Sequence, residues 1–248
     1  MKRFYFLHLT LILSCIFPSC LKAQQIQTDR PNETESPSVV PAGRLQLESG
    51  LYYQKEEGTQ TVESPQAVLR YGLFRNAELR FETALQFTKQ DGQSQLGIQP
   101  SAVGIKYHLL DHKGMLPDLA LLSRLYIPWI ADKAYKEDHY SPELQLLAQH
   151  EISSKAHVGY NAGVQWVSEN LQPEYIYTLS ADHALTKKIK LVVEAYGTVI
   201  SHHHAQNTAD AALLFILSPD VQLDLTAGTS LMHAGSQKFA AAGFSIRI

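Results

Sequence analysis

The chain has 248 residues, 45% of them hydrophobic and only 18% charged, with two cysteines and a formal net charge of -3. This composition excludes an intrinsically disordered chain and a disulfide-stapled miniprotein. A charged share below the ~25% usual in soluble domains points to a solvent other than water around part of the molecule.

Residues 1–23 read as an export signal: Lys2 and Arg3 precede an apolar run from Phe4 to Phe17, with cleavage expected after Ala23. Phe17-Pro18-Ser19-Cys20 also matches a loose lipoprotein box, which would instead leave a lipidated Cys20. Loss of residues 1–23 removes Lys2, Arg3 and Lys22 but no acid, leaving 18 basic against 24 acidic residues. That balance argues against a nucleic-acid partner. Cys15 and Cys20 leave with the signal, so the mature chain has no thiolate for a disulfide, a metal or a nucleophile.

Residues 24–42 carry Pro31, Pro37 and Pro41 and show no alternation, which predicts an extended segment outside any strand. The pattern allows two arrangements. The segment is a disordered periplasmic leader, or it is a plug whose Asp29, Arg30, Glu33 and Glu35 enter the periplasmic mouth of the fold and pair with charges inside.

From residue 43 to residue 248 the pattern is period-two alternation, with no apolar run approaching the ~18–20 residues of a spanning helix. Leu45, Leu47, Ser49, Leu51 and Tyr53 share one face of the first strand, and Arg44, Gln46, Glu48, Gly50 and Tyr52 the other. About twelve strands are predicted, near 43–54, 65–73, 77–88, 98–110, 118–128, 142–151, 155–168, 173–185, 188–200, 208–217, 221–231 and 238–248. Across them the apolar face carries no Asp, Glu, Lys or Arg between the strand ends, where Lys238, His150 and His183 fall on it. A charge facing lipid near the bilayer midplane costs roughly 2–4 kcal/mol, enough to keep one face clean strand by strand.

Connections alternate too. Lys55–Val62, Lys89–Gln95, Trp129–Ser141, Ser201–Asn207 and Met232–Gln237 read as longer polar loops; Phe74–Asn76, Ile152–Ser154, Thr186–Lys187 and Ser218–Asp220 read as tight turns, with Asp111–Pro117 a longer exception. Short turns on one rim and long loops on the other fit an outer-membrane barrel with its turns in the periplasm. Lipid offers an unpaired amide no partner, so the first and last strands must pair. The expectation is therefore an all-β fold: a closed antiparallel transmembrane β-barrel of about twelve strands over 43–248, surrounded by outer-membrane lipid, with a polar or salt-bridged lumen. Tyr53, Phe87, Trp166, Tyr175 and Tyr177 near one rim, and Tyr71 and Tyr107 near the other, are girdle positions. Gly243–Ile248 resembles the terminal signal read by the barrel-assembly machinery.

Thr28-Asp29-Arg30-Pro31, Thr34-Glu35-Ser36-Pro37, Val40-Pro41-Ala42-Gly43 and Gln46-Leu47-Glu48-Ser49-Gly50 resemble the opening of the bacterial outer-membrane family labelled as phenol-degradation meta-pathway or transporter-like proteins. Leu69–Leu73, Gly104–Tyr107, Gln222–Asp224 and Gly243–Arg247 resemble its recurring segments, so the likeness spans nearly the whole mature chain. It implies a Gram-negative outer-membrane location and passage of small, including aromatic, solutes.

The candidate lumen-lining residues are Arg44, Glu48, Arg70, Glu78, Arg80, Glu82, Lys106, Arg124, Glu143, Lys190, Glu194, Asp210, Asp224 and Arg247. They describe either a polar conduit or an ion-pair network filling a barrel whose width lies between filled eight-stranded and open sixteen-stranded examples. His202, His203 and His204 could share a transition metal, but consecutive residues on an extended segment point different ways, and a hydrated loop tip is the simpler reading. A lipid-modifying enzyme would need a Ser–His–acid group at the outer rim. Serines lie near His139, His202–His204 and His233, but Gly-x-Ser-x-Gly is absent. No cofactor is expected, since no Gly-rich loop joins a strand to a helix. The expected function is a passive channel or transporter-like protein and not an enzyme, with a non-conducting structural barrel as the alternative.

Overall fold

The computed structural model describes residues 25–169, 171–201, 204–231 and 237–248. The expected export signal and Cys20 lie outside them, as do His202 and His203. Strand segments follow in chain order as β1 (Leu45–Glu56), β2 (Thr59–Phe74), β3 (Ala77–Gln90), β4 (Gln93–Ile98), β5 (Ser101–Leu110), β6 (Asp118–Ile127), β7 (Ser141–Ser153), β8 (Ala156–Trp166), β9 (Pro173–Ala184), β10 (Ile189–Ile200), β11 (Gln206–Ser218), β12 (Val221–Ser230) and β13 (Lys238–Arg247). Neighbours in sequence pair antiparallel, and β1 pairs with β13 from Gln46↔Arg247 to Lys55↔Lys238, which closes the sheet. Segments β4 and β5 form one stave, since both pair with β3. The result is a closed twelve-stranded antiparallel barrel.

Two details differ from the expected elements. The strand predicted over 98–110 starts at Gln93 and breaks at Gln99–Pro100, where proline has no amide to give the ladder. Lys55–Val62 and Lys89–Gln95, expected as long loops, are continuous hairpins that turn on Glu57-Gly58 and Asp91-Gly92. Positive φ at both turn residues, 37° and 86° in the first and 50° and 80° in the second, matches the twist of paired strands. Above the break, β4 pairs only with β3, and its free edge is covered by the loop after β6: Asp132 N donates to Ile98 O at 2.9 Å and Ile98 N donates to Asp132 Oδ2 at 2.8 Å. That cover removes an unpaired edge.

Side chains divide by face as the alternation requires. Leu69, Tyr71, Leu79, Phe81, Val103, Ile105, Tyr107, Leu144, Leu146, Val193, Leu223 and Leu225 are exposed on the outside, while Glu48, Glu78 and Lys106 have no accessible surface. An apolar exterior around a charged interior is stable only in lipid. The lumen is not wholly polar, however. Ala120, Leu122 and Leu147 form one buried apolar cluster inside, and Val192, Ala212 and Leu214 another. Where apolar residues are consecutive, as in Leu121-Leu122, Leu146-Leu147, Val192-Val193 and Leu213-Leu214, one member faces lipid and the other faces inward.

Candidate functional site

Residues 25–43 do not hang below the barrel; they run up into it and return. Ile26 N donates to Pro219 O in the β11–β12 turn at 2.7 Å, and at the other end Gly43 N donates to Gly72 O at 2.8 Å. Between these anchors the chain turns at Asp29–Asn32, where Asn32 N donates to Asp29 O, and folds back so that Ser36 N donates to Asp29 Oδ1. A segment outside the ladder must find partners for its amides elsewhere. Carboxylates of the wall supply them. Glu48 Oε2 accepts from Asp29 N and Arg30 N at 3.0 and 2.9 Å, Glu194 accepts from Glu33 N and Thr34 N, and Glu78 Oε2 accepts from Val40 N at 2.7 Å.

Charge makes the strongest contacts. The register sets Arg70 opposite Arg80, and like charges directly opposite on a sheet repel. Lys106 lies on the adjoining stave, opposite Glu78. Into this cationic cluster the segment inserts Asp29, whose Oδ2 lies 3.0 Å from Arg70, 2.6 Å from Arg80 and 2.8 Å from Lys106. Burial alone would raise the Asp29 carboxyl, but the three cations together hold it well below the usual carboxylate range. Glu35 adds pairs to Arg80 at 2.8 Å, to Lys106 at 3.1 Å and to Arg124, which also bonds Glu82 and Glu143. Arg30 reaches the opposite way, donating to Gln66 Oε1 at 2.6 Å and pairing with Asp224 at 3.4 Å.

The wall is shaped for this insertion. Gly50 and Gly243 face each other across the closing seam, and a Cβ on Gly243 would come within 2.7 Å of the Arg30 guanidinium. At Gly72 a Cβ would meet the carbonyl oxygen of Pro41 at 2.2 Å. Both are close approaches that only a residue without a side chain allows.

The remaining sequence-predicted residues fall as follows. Arg44 and Arg247 pair with Asp220 at the periplasmic rim, at 3.4 and 2.8 Å. Lys190 lies 3.4 Å from Asp182, and Glu194 stands opposite Asp210 on the far wall. Glu33 borders the vestibule with its surface exposed there, yet it sits deep inside the barrel. Its burial there, and then the adjacent Glu194, push its carboxyl up to about 7. His204 is exposed on its loop. Ser168 Oγ bonds the main chain of His139 and not its ring, and Ser141 Oγ donates to Trp166 O, so neither forms a nucleophile–base pair.

Above the inserted segment is a vestibule of about 510 Å³, floored by Asp29–Glu33 and Glu35 and walled by Tyr52, Glu63, Gln99, Tyr126, Gln145 and Tyr196. Below it a crevice of about 50 Å³ runs between the segment and β7–β12, lined by Gln149, Ser180, Asp182, Lys190, Val192, Leu214 and Gln222. Asn32 and Glu35 border both. The tyrosines, Glu63 and the glycine cradle were not singled out from sequence; the Tyr71-Gly72 and Gly243-Phe244 pairs were the available signal.

The family described as "Putative MetA-pathway of phenol degradation" matches residues 28–248. The chain belongs to this family. No curated protein sequence matches it. Among solved structures it is similar to the COG4313 outer membrane channel from Pseudomonas putida F1, at 14% identity and a TM-score of 0.66 over 90% of this chain and 100% of that one. It is also similar to the NanC porin (8% identity, TM-score 0.56, 81% and 98% covered) and the KdgM porin (10%, 0.55, 80% and 98%). The shared architecture, with its apolar exterior, places the family member in the outer membrane of a Gram-negative bacterium.

Proposed function

We propose that the protein is a passive channel for small polar solutes, closed at its periplasmic half by its own N-terminal segment. The observation that carries this reading is the meeting of vestibule and crevice at Asn32 and Glu35. The vestibule lies within the ~300–1,000 Å³ range of small-molecule sites, whereas about 50 Å³ admits only a few waters. Solutes therefore enter from outside, and their passage requires displacement of residues 25–40.

Charge sets the preference. Asp29, Glu33, Glu35, Glu48, Glu63, Glu82 and Glu143 border the vestibule against Arg30, Arg80 and Arg124; the three arginines and five of the acids are engaged in ion pairs, and Glu33 and Glu63 are the acids in excess. Cations and neutral hydroxylated molecules are favoured over anions. The family's description names phenol degradation, and Tyr52, Tyr126 and Tyr196 offer faces for a small aromatic ring. The apolar terminal strand β13 suits recognition by barrel-assembly machinery during biogenesis.

Liposome swelling with sugars, amino acids and simple phenols tests the reading. Uptake should be slow in the full-length barrel, rise severalfold once residues 25–40 are removed, and favour cationic amino acids over anionic ones. Equal exclusion of every solute in both forms would establish instead a structural barrel with a filled interior.

A further inference from the structure

The β5–β6 turn at the periplasmic mouth brings together side chains that the channel reading does not use. His108, Asp111 and Asp118 each offer one ligand atom, and those atoms all lie within 4.8 Å of one another. The chain builds this grouping locally. A register shift between His108 and Leu110 re-aims the end of β5, and the Lys113↔Leu116 bridge, with Gly114 at φ 62°, pinches the turn. Asp118 is further fixed by its Oδ1, which accepts from His112 N at 2.8 Å.

The imidazole of His108 carries the argument. Nδ1 lies 3.1 Å from the carbonyl oxygen of Pro37, an acceptor only, and Nε2 lies 2.9 Å from Asp111 Oδ1. A neutral ring has one proton and cannot serve two acceptors. Two states satisfy both contacts: a doubly protonated ring, or a ring with its proton on Nδ1 and a metal ion on Nε2. The second is the usual arrangement of metal-bound histidine, whose other nitrogen donates to a backbone carbonyl that fixes tautomer and orientation.

We propose that His108, Asp111 and Asp118 form a site for a divalent transition-metal ion of the zinc class. One imidazole and two carboxylates suit Zn²⁺, with water completing the shell. Metal on Nε2 keeps the proton on Nδ1, where the Pro37 carbonyl receives it. The same ion that ties the turn thus holds the returning leg of the inserted segment.

The test is titration of Zn²⁺ into the full-length mature barrel folded in detergent, with Co²⁺ spectra reporting the ligand field. One equivalent should bind. Because Asp111 is largely exposed, Asp111→Asn leaves the fold undisturbed, and it should weaken binding at least ~10-fold, as should His108→Ala. Replacing His202, His203 and His204 with alanine should leave that equivalent in place. Absence of stoichiometric binding, or binding that vanishes in the outer-loop variant and persists in both Asp111→Asn and His108→Ala, would overturn the site. Either result is read from binding alone, so it is independent of whether removing residues 25–40 opens the channel.

Discussion

The two walls of the lumen differ in what they do. On β1–β6 the inward charged residues include Glu48, Arg70, Glu78, Arg80, Lys106 and Arg124, nearly all without accessible surface and all bonded to the segment or to each other, with the apolar Ala120 and Leu122 beside them. On β7–β12 the inward residues facing the crevice are, apart from the paired Asp182 and Lys190, small, neutral or apolar: Gln149, Gly159, Ser180, Val192, Leu214 and Gln222. The first wall is a lock and the second is the side of a passage. Removing one partner of a buried charge network is expensive because the others are left uncompensated, whereas β7–β12 hold the segment at fewer, separate points: Glu194 at Glu33 N and Thr34 N, Asp224 at Arg30 and Gln222 at Thr28.

This asymmetry can be broken most severely at Asp29. Replacing it with asparagine leaves Arg70, Arg80 and Lys106 short of their shared carboxylate, an effect of about 3–5 kcal/mol on the inserted state. The expected outcome is a many-fold rise in open probability in planar bilayers and new protease sensitivity of residues 25–40. An unchanged open probability would mean that the lock lies elsewhere. The next largest effect is expected at the cradle. Gly72→Val drives its Cβ into the Pro41 carbonyl and should loosen the returning leg by about 1–3 kcal/mol, raising open probability without changing ion preference.

A smaller effect is expected from pH. Burial and Glu194 raise Glu33 to about 7 in the inserted state, so the inserted state binds that proton more tightly than the released one. The insertion it supports is therefore complete below the ordinary glutamate range and is lost as pH rises through about 7. Open probability should increase from pH 5 to pH 8, and Glu33→Gln should flatten that rise. Asp29 acts oppositely, but its depressed carboxyl stays ionised throughout this window. The smallest change belongs to the passage wall. Val192→Thr wets the crevice and should raise residual conductance by less than about twofold while the segment stays in place. Release of the segment by that substitution would erase the distinction between the walls.

Barrel, strand order and lipid face were legible in the sequence because lipid imposes one rule on every strand: a charge at an outward position within the bilayer is costly, so Leu69, Leu79 and Leu223 alternate with Arg70, Glu78 and Asp224, and the outward Lys55 and Lys238 fall at strand ends. Interior positions obey no such rule. An inward leucine is tolerated beside another protein surface, so Leu122, Leu147 and Leu214 broke the expected polarity of the lumen. The carriers of charge in residues 24–42 were also legible, since Asp29, Arg30, Glu33 and Glu35 stand among prolines. What they meet was not, because the contact of Asp29 with Arg80 joins residues that only barrel closure brings together. Asp91-Gly92 carries the sequence signature of a two-residue hairpin turn, and the broken stave at Pro100 follows from a proline placed within an otherwise regular alternation.

The central claim is that residues 25–40, held by the β1–β6 wall, close the periplasmic half of the pore. Single-channel recording of the mature barrel beside the same barrel lacking residues 25–40 tests it most directly. The account expects rare, small openings in the first and a persistent conductance several times larger in the second. Identical current traces from the two proteins would contradict it.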